Sequence, residues 1–308
     1  MMTKILVLGG SGFIGGRLVA AFSQRGHTLA YTYTSRQLPA TLNRAGHLLD
    51  LTRVRSDDLA TLVAQLKPDV VIHSAVMPIN GDFIHHHSVS AYSVVRLAEA
   101  LRLHRPAALV IYLSTDCVFG SGRGQYCEPD APDARLRKRM DAYRNYGVAR
   151  AMGEALLREH WPNHLIVRTA MVDGHAVSGD LSPRLAALIA QLQAGIMTKR
   201  LVDRYFSPTL IDTVIAAMGE MIEPMFGYRG ILHVAGRERT SNYLYARALA
   251  RRIGADERLI VPEQLAASSV AMLPADSSLD VALAQQLLRT PMLGVEAQLA
   301  HLYLRYPD

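Results

Sequence analysis

The chain has little with which to build a covalent or metal-bound framework. Only two cysteines, Cys117 and Cys127, occur in 308 residues, and two thiols cannot staple a fold of that length. No CxxC pair or Cys/His spacing suggests zinc, so no metal is expected. No apolar run approaches the roughly 18 residues that a bilayer-crossing helix needs, and the apolar start Ile5–Leu8 runs into glycines instead of a signal core. No membrane partner is expected, and the chain reads as cytoplasmic, with both thiols reduced. Internal repeats and low-complexity linkers are lacking too. Charge is not extreme: 33 Lys and Arg face 27 Asp and Glu, a formal +6, which suits an anionic small ligand as well as a nucleic acid. No stacking aromatics or reader motif accompany the basic stretch, so no nucleic-acid partner is expected. What is abundant is apolar side chain, 50% of the residues, enough for a large core and against disorder.

The apolar residues fall in a repeating order. Lys4-Ile5-Leu6-Val7-Leu8 has no polar face, as in a strand covered on both sides. From Phe13 to Gln24 the spacing turns helical, and Gly26 stops it. Strands are expected at 29–33, 70–72, 108–113 and 165–169, with one more before Asp50. Helices are expected at 58–66, 88–103 and about 145–160. Alternation of this kind means βαβ units in an α/β, doubly wound parallel sheet of the Rossmann type. Beyond Thr169 the pattern loosens, with helices near 185–192, 211–221 and 243–253 and a late strand at 230–234. We expect residues 1–170 to form a dinucleotide-binding domain to which segments near 205–236 return. Residues 171–204 and 237–308 then form a smaller, interleaved substrate-binding lobe.

Gly9-Gly10-Ser11-Gly12-Phe13-Ile14-Gly15 follows the first strand and opens the first helix. Glycines there allow a tight turn and close backbone approach, and the helix N-terminus faces a pyrophosphate. The second strand ends Tyr33-Thr34-Ser35-Arg36. It has no carboxylate to repel a 2′-phosphate, and Arg36 offers a planar fork to one. NADPH is therefore the expected cofactor, with NADH as the alternative.

The spacing Gly9-x-x-Gly12-x-x-Gly15 resembles the fingerprint of the extended short-chain dehydrogenase/reductase superfamily. Ser114-Thr115-Asp116-Cys117-Val118-Phe119 resembles the STD-x-VF segment of its dTDP-dehydrorhamnose reductase branch. Further matches follow in order: His73-Ser74-Ala75 after Val71-Ile72, Tyr126-x-Glu128-x-Asp130, Tyr146-Gly147-x-x-Arg150-x-x-Gly153-Glu154, and Arg168-Thr169-x-x-Val172-x-Gly174. Phe206-Ser207-Pro208-Thr209 with Asp212, and Ser277-Ser278-Leu279-Asp280, extend the resemblance over nearly the whole chain. It implies a sugar nucleotide-binding reductase in which Tyr146 gives the proton and Thr115 orients the substrate carbonyl. It also places the cofactor against Ser11, Phe13, Ile14, Asp50, Leu51, Ser74, Ala75, Val76, Ala170 and Met171, and against Tyr146 and Arg150. For this chemistry Tyr146 should titrate well below its ordinary value of ~10, which a nearby cation achieves.

The family's cation is a Lys; here it is Arg150. Arginine keeps the charge and the i,i+4 placement but cannot release a proton, which closes any relay through it. Ser90 stands where the family commonly has Asn, and Cys117 where an aromatic is common. His85-His86-His87 cannot converge on one ion and read as a loop or helix start. The basic stretch from Arg135 to Arg144 reads as a solvated helix, with a phosphate-facing lid as its alternative. The activity expected is NADPH-dependent reduction of a small-molecule ketone, either a nucleotide-activated deoxysugar or a secondary metabolite, by a monomer or homodimer. Two alternatives remain: a non-catalytic NADP-binding regulatory subunit like the beta subunit of methionine adenosyltransferase, and an epimerase or dehydratase of the same superfamily.

Overall fold

A computed structural model describes residues 2–39, 45–53, 55–134, 141–265 and 274–302. The basic residues at 135–139 thus lie outside the described residues. The first half runs β1 (Lys4–Leu8), α1 (Phe13–Gln24), β2 (Thr28–Tyr33), β3 (Ala45–Leu48), α2 (Ser56–Leu66), β4 (Val70–His73), α3 (Phe83–His87), α4 (Ser93–His104), β5 (Leu109–Thr115), α5 (Asp141–His160) and β6 (His164–Thr169). It continues through β7 (Val172–Asp173), α6 (Pro183–Gln193), β8 (Thr198–Leu201), β9 (Tyr205–Phe206), β10 (Thr209–Leu210), α7 (Ile211–Met221), β11 (Gly230–His233) and β12 (Thr240–Ser241). The last described elements are α8 (Asn242–Arg252), β13 (Ile260–Glu263), α9 (Ala282–Leu287) and α10 (Val295–His301).

Seven strands pair in parallel in the order β11-β6-β5-β4-β1-β2-β3. The unpatterned apolar run of β1 is explained by what lies on either side. Ile5 and Val7 pack with Leu18, Val19 and Phe22 of α1 and with Val214 and Met218 of α7. Leu6 and Leu8 pack oppositely, with Leu59 and Val63 of α2 and Leu97 and Leu101 of α4. Each such burial contributes about 1.5–3 kcal/mol, and a strand with two covered faces has no place for a polar residue. The strand order reverses between β1 and β4, and a sheet of this kind opens a crevice beyond the carboxyl ends of its strands there. A third apolar cluster joins Leu185, Leu188 and Leu192 of α6, Tyr245 and Leu249 of α8, and Val295 and Leu299 of α10.

The structure departs from the expected single helix over 88–103. The chain forms α3, then a five-residue π-helical turn at Ser88–Tyr92, then α4. The Tyr112 hydroxyl donates to the Ser90 carbonyl at 2.7 Å. Gly153 of α5 approaches that carbonyl so closely that a β-carbon there would stand 2.0 Å from it. The wide turn is therefore held from two other elements, a kind of irregularity that concentrates at functional sites. The loosened second half also contains three short two-stranded pairings, β7 with β10, β9 with β12 and β8 with β13. Among the described residues no helix is long and apolar enough to cross a membrane.

Candidate active site

A cavity of about 680 Å³ opens at the crevice, within the size range of a small-molecule site. Its floor is the glycine turn. Gly9 has φ of 75°, and a β-carbon on it would stand 2.5 Å from Ala75 Cα. A β-carbon on Gly15 would stand 2.3 Å from Gly9 O, so these two glycines bring β1, α1 and the segment after β4 into direct backbone contact. Gly12 caps α1 with extended backbone, leaving the first helical N–H groups facing the cavity, where Ser11, Phe13 and Ile14 join the wall.

Thr34, Asp50, Leu51, Ser74, Ala75, Val76 and Met171 line the same cavity, together with Thr115, Tyr146 and Arg150. The Ser74 hydroxyl is committed to the backbone, donating to Leu8 O at 2.9 Å. Asp50 accepts from Thr52 N and Oγ1 at 2.9 and 2.7 Å, and the bond from the Thr52 hydroxyl holds its carboxyl below the usual range. Three residues expected on the wall stand off it. Ser35 and Arg36 continue past β2 into exposed chain, and Ala170 is buried in the core behind Met171. Thr32, Tyr33, Thr52, Met77, Val89 and Thr169 line it unforeseen.

The three side chains expected to carry the chemistry converge from β5 and α5. Thr115 ends β5; its hydroxyl donates to Asp116 Oδ1 at 3.1 Å and accepts from Cys117 N at 3.1 Å. Asp116 Oδ2 in turn accepts from Ser277 Oγ at 2.7 Å. Gly147 lets α5 press onto this turn, since a β-carbon there would stand 2.1 Å from Cys117 O. The Arg150 guanidinium is 2% exposed and donates from Nη2 to Ala75 O at 2.7 Å. Its Nε and Nη1 have no partner, and its charge lies 5.7 Å from the Tyr146 ring and 5.2 Å from the Tyr112 ring.

The expected acidity of Tyr146 is not found in this cavity as it stands. Burial pushes the phenol up from its ordinary value; Arg150, and a weaker interaction with Thr115, pull the other way without reversing it. The cation is present, yet desolvation of the phenolate outweighs it.

Two histidines to which the sequence assigns no part in the chemistry stand behind these residues. His73 is fully buried, its Nε2 2.8 Å from Ser93 Oγ. Ser93 donates its only proton to Val89 O, so His73 must carry its proton on Nε2, leaving Nδ1 as an unpartnered acceptor. Burial, then Arg150, lowers its pKa to about 3. His86 of α3 is 0% exposed, has no partner on either ring nitrogen, and lies 5.8 Å from the Tyr146 ring, centroid to centroid. The signal in the sequence was the run His85-His86-His87 itself. Read only against metal binding, it offered nothing.

Tyr126, Glu128, Glu154 and Arg168 hold the site rather than line it. Glu154 and Arg168, both nearly inaccessible, form a two-pronged pair, with Nη2–Oε2 2.7 Å and Nε–Oε1 3.0 Å. Ser114 donates to the same carboxylate, which ties α5 to β5 and β6. Glu128 accepts from His233 N at 3.0 Å, and Tyr126 exchanges backbone bonds with Ser278 and Asp280 at 3.0 and 2.8 Å. Cys117 is half-buried beside the turn and Cys127 is exposed; they form no disulfide.

A parallel seven-stranded sheet with a glycine-floored crevice at its reversal point defines a Rossmann-type dehydrogenase/reductase architecture. Residues 2–306 match the family described as RmlD substrate binding domain, and the chain belongs to that family. It is 26% identical over 299 residues to a dTDP-4-dehydrorhamnose reductase of Aggregatibacter actinomycetemcomitans, covering 92% of this chain and 93% of that one. It is 23% identical over 265 residues to the Danio rerio methionine adenosyltransferase 2 subunit beta, covering 84% and 76%. Among solved structures, the dTDP-4-dehydrorhamnose reductase from Bacillus anthracis in complex with NADP superposes with a TM-score of 0.80 at 18% identity, over 98% of this chain and 99% of that one. Other neighbours of the same fold were solved with NAD.

Proposed function

We propose that the chain is an NADPH-dependent ketoreductase acting on a nucleotide-activated deoxysugar or a comparable secondary-metabolite ketone. The observation that carries this reading is the convergence of Tyr146, Thr115 and Arg150 on a cavity floored by Gly9, Gly12 and Gly15. The residues suit a dinucleotide. The glycine turn leaves no room for side chains where a pyrophosphate would approach, and Arg150, which lines the same cavity, keeps its Nε and Nη1 without a hydrogen-bond partner among the described residues. Ser11 to Gly15 would hold the pyrophosphate, Asp50 and Leu51 the adenine, and Arg150 the nicotinamide ribose. Thr34, Ser35 and Arg36 would take the 2′-phosphate, Ser35 and Arg36 folding over from the rim.

NADPH, when bound, supplies the hydride. Tyr146 gives its proton to the carbonyl oxygen as that oxygen gains charge. Thr115 exchanges its long bond to Asp116 for one to the same oxygen, while the Cys117 N–H and the Ser277–Asp116 bond keep the turn in place. Arg150 acts as a fixed cation that favours the phenolate and tethers the Ala75 strand end. Stopped-flow NADPH oxidation with candidate ketones tests the reading. Tyr146→Phe should lose roughly 10²–10⁴ of the rate while binding NADPH normally; unchanged turnover in that variant removes Tyr146 from the mechanism.

A second reading rests on the likeness to the methionine adenosyltransferase beta subunit together with Arg150 in place of the family's Lys. In it the chain binds NADP and regulates a catalytic partner. Recovery of a stoichiometric partner, with no ketone turned over, would favour it.

A further inference from the structure

His86 is buried, and among the described residues neither of its nitrogens has a hydrogen-bond partner. Leaving a buried polar group unmatched costs about 1–3 kcal/mol, so a purely structural position would favour an apolar side chain. The helix that carries it turns the sequence pattern inside out. Asp82 caps α3, accepting from His85 N at 2.9 Å, while Phe83 and Ile84 are 51% and 73% exposed and His86 points inward against α5. The groups facing the imidazole are Tyr146 and Arg150 from α5, Asp82 and His87 from its own helix, and the backbone of Ile79, which attracts its proton without completing a hydrogen bond. Burial, opposed by the Ile79 backbone and reinforced by Arg150, lowers its pKa and keeps it neutral, with one donor and one acceptor nitrogen. Gly81 lies over the Nε2 side: a β-carbon there would stand 3.3 Å from Nε2, and Gly81 is itself partly open to solvent.

We infer that His86 resupplies the proton of Tyr146 from the Gly81 side, the task that Arg150 cannot perform. The inference rests on the reductase reading and extends it. When the carbonyl carbon accepts the hydride pair, its oxygen takes the Tyr146 proton and the O–H bond of the phenol breaks. In one concerted transfer His86 gives its N–H proton to the phenolate, directly or through one water, while its other nitrogen takes up, by way of water near Gly81, the solvent proton that the net reduction consumes. The imidazole ends neutral with its tautomer exchanged, and no oxidant or reductant beyond NADPH is needed. Because His86 works through Tyr146, it is a positioning and proton-supplying residue.

Nitrogen NMR of ¹⁵N-histidine-labelled full-length protein with NADP⁺ decides the point without a substrate. Tyr146→Phe removes a hydroxyl and leaves the ring contact intact. The inference expects that variant to move the His86 ring resonances and their tautomer balance. His86 signals unchanged by the loss of the hydroxyl would overturn it, since packing alone predicts no change. With a ketone that the wild type reduces, His86→Phe should lower kcat roughly 10²-fold, leave KM and NADPH affinity near wild type, and recover in part with added imidazole. Gly81→Ala should slow the same step with His86 present. Full turnover in His86→Phe would also sink the proton-supply role. Absence of any ketone turnover in wild type would count against the reductase reading alone, while the NMR result still decides His86.

Discussion

Replacing Gly15 by alanine tests the cradle directly. The new β-carbon would stand 2.3 Å from Gly9 O, 2.9 Å from Gly10 Cα and 2.9 Å from Ser74 Oγ. Two of these atoms are backbone, and the third is held by its bond to Leu8 O, so no flexible side-chain end can give way. Reaching an ordinary contact requires the turn to open by about 1 Å, and a displacement of that size in a preorganised site costs on the order of 10²-fold. That equals about 2.8 kcal/mol of NADPH binding at 1.4 kcal/mol per tenfold. Overpacking should cost the fold about 1–3 kcal/mol, a few degrees in melting temperature for a chain of this size. A fluorescence titration with NADPH reads the first quantity and a thermal melt the second. Gly16→Ala is the matched control. Its β-carbon would meet only the side-chain ends of Leu38 and Val177, at 3.2 Å, and alanine is a better helix former by about 1 kcal/mol. Its NADPH affinity should stay near wild type. If Gly15→Ala binds NADPH as tightly as wild type, the glycine turn is not the pyrophosphate site.

Arg36→Ala should narrow the preference for NADPH over NADH by roughly tenfold, the worth of one charge-assisted bond to phosphate, with NADH affinity unchanged; paired titrations with the two nucleotides measure it. Glu154→Leu leaves Arg168 buried without its counter-charge and should cost about 3–5 kcal/mol in urea unfolding, much of it recovered when Arg168→Met is added. Arg150→Lys loses the geometry of the Nη2 bond to Ala75 O and should reduce kcat about tenfold, not raise it; a rate gain in stopped flow would mark the arginine as damage to the site. The buried His73 has its folded pKa lowered from 6.5 to about 3. Above the unfolded value neither state carries the proton; as pH falls from about 6.5 toward 3 the unfolded state takes it up alone. Stability should therefore fall with pH across that window, and His73→Gln should show a shallower slope in urea melts.

The parts of the site readable in the sequence are those whose cause is local. β1 declares itself because both of its faces are covered by helices, and Gly9 to Gly15 because a turn that tight admits almost no other residue. Thr115 and Tyr146, singled out by the order of their motifs, both line the cavity. Long-range causes leave no such trace. The inward turn of His86 depends on Asp82 capping a helix whose apolar residues Phe83 and Ile84 face outward, opposite to the usual pattern. The π turn at Ser88–Tyr92 depends on Tyr112 and Gly153, which arrive from β5 and α5. The direction of the Tyr146 shift was misjudged because its sign is set by how deeply the phenol is buried, and charge spacing along a helix does not report depth.

Arginine at position 150 fits its surroundings in a way lysine would not. The group is 2% exposed, donates to the Ala75 carbonyl, and lies against the rings of Tyr112 and Tyr146. An ammonium so placed is pressed by desolvation to give up its proton, whereas a guanidinium keeps its charge and spreads it over a plane that suits aromatic neighbours. The gain is a cation that stays charged at any working pH. The loss is the proton that a lysine could pass on. Around the same two rings lie the unpartnered Nδ1 of His73, the unpartnered hydroxyl of Ser90 and both nitrogens of His86. Charge and proton supply, which one lysine can combine, are here separable. On the proposed reading, restoring lysine alone would return a relay to a site in which His86 already supplies the proton.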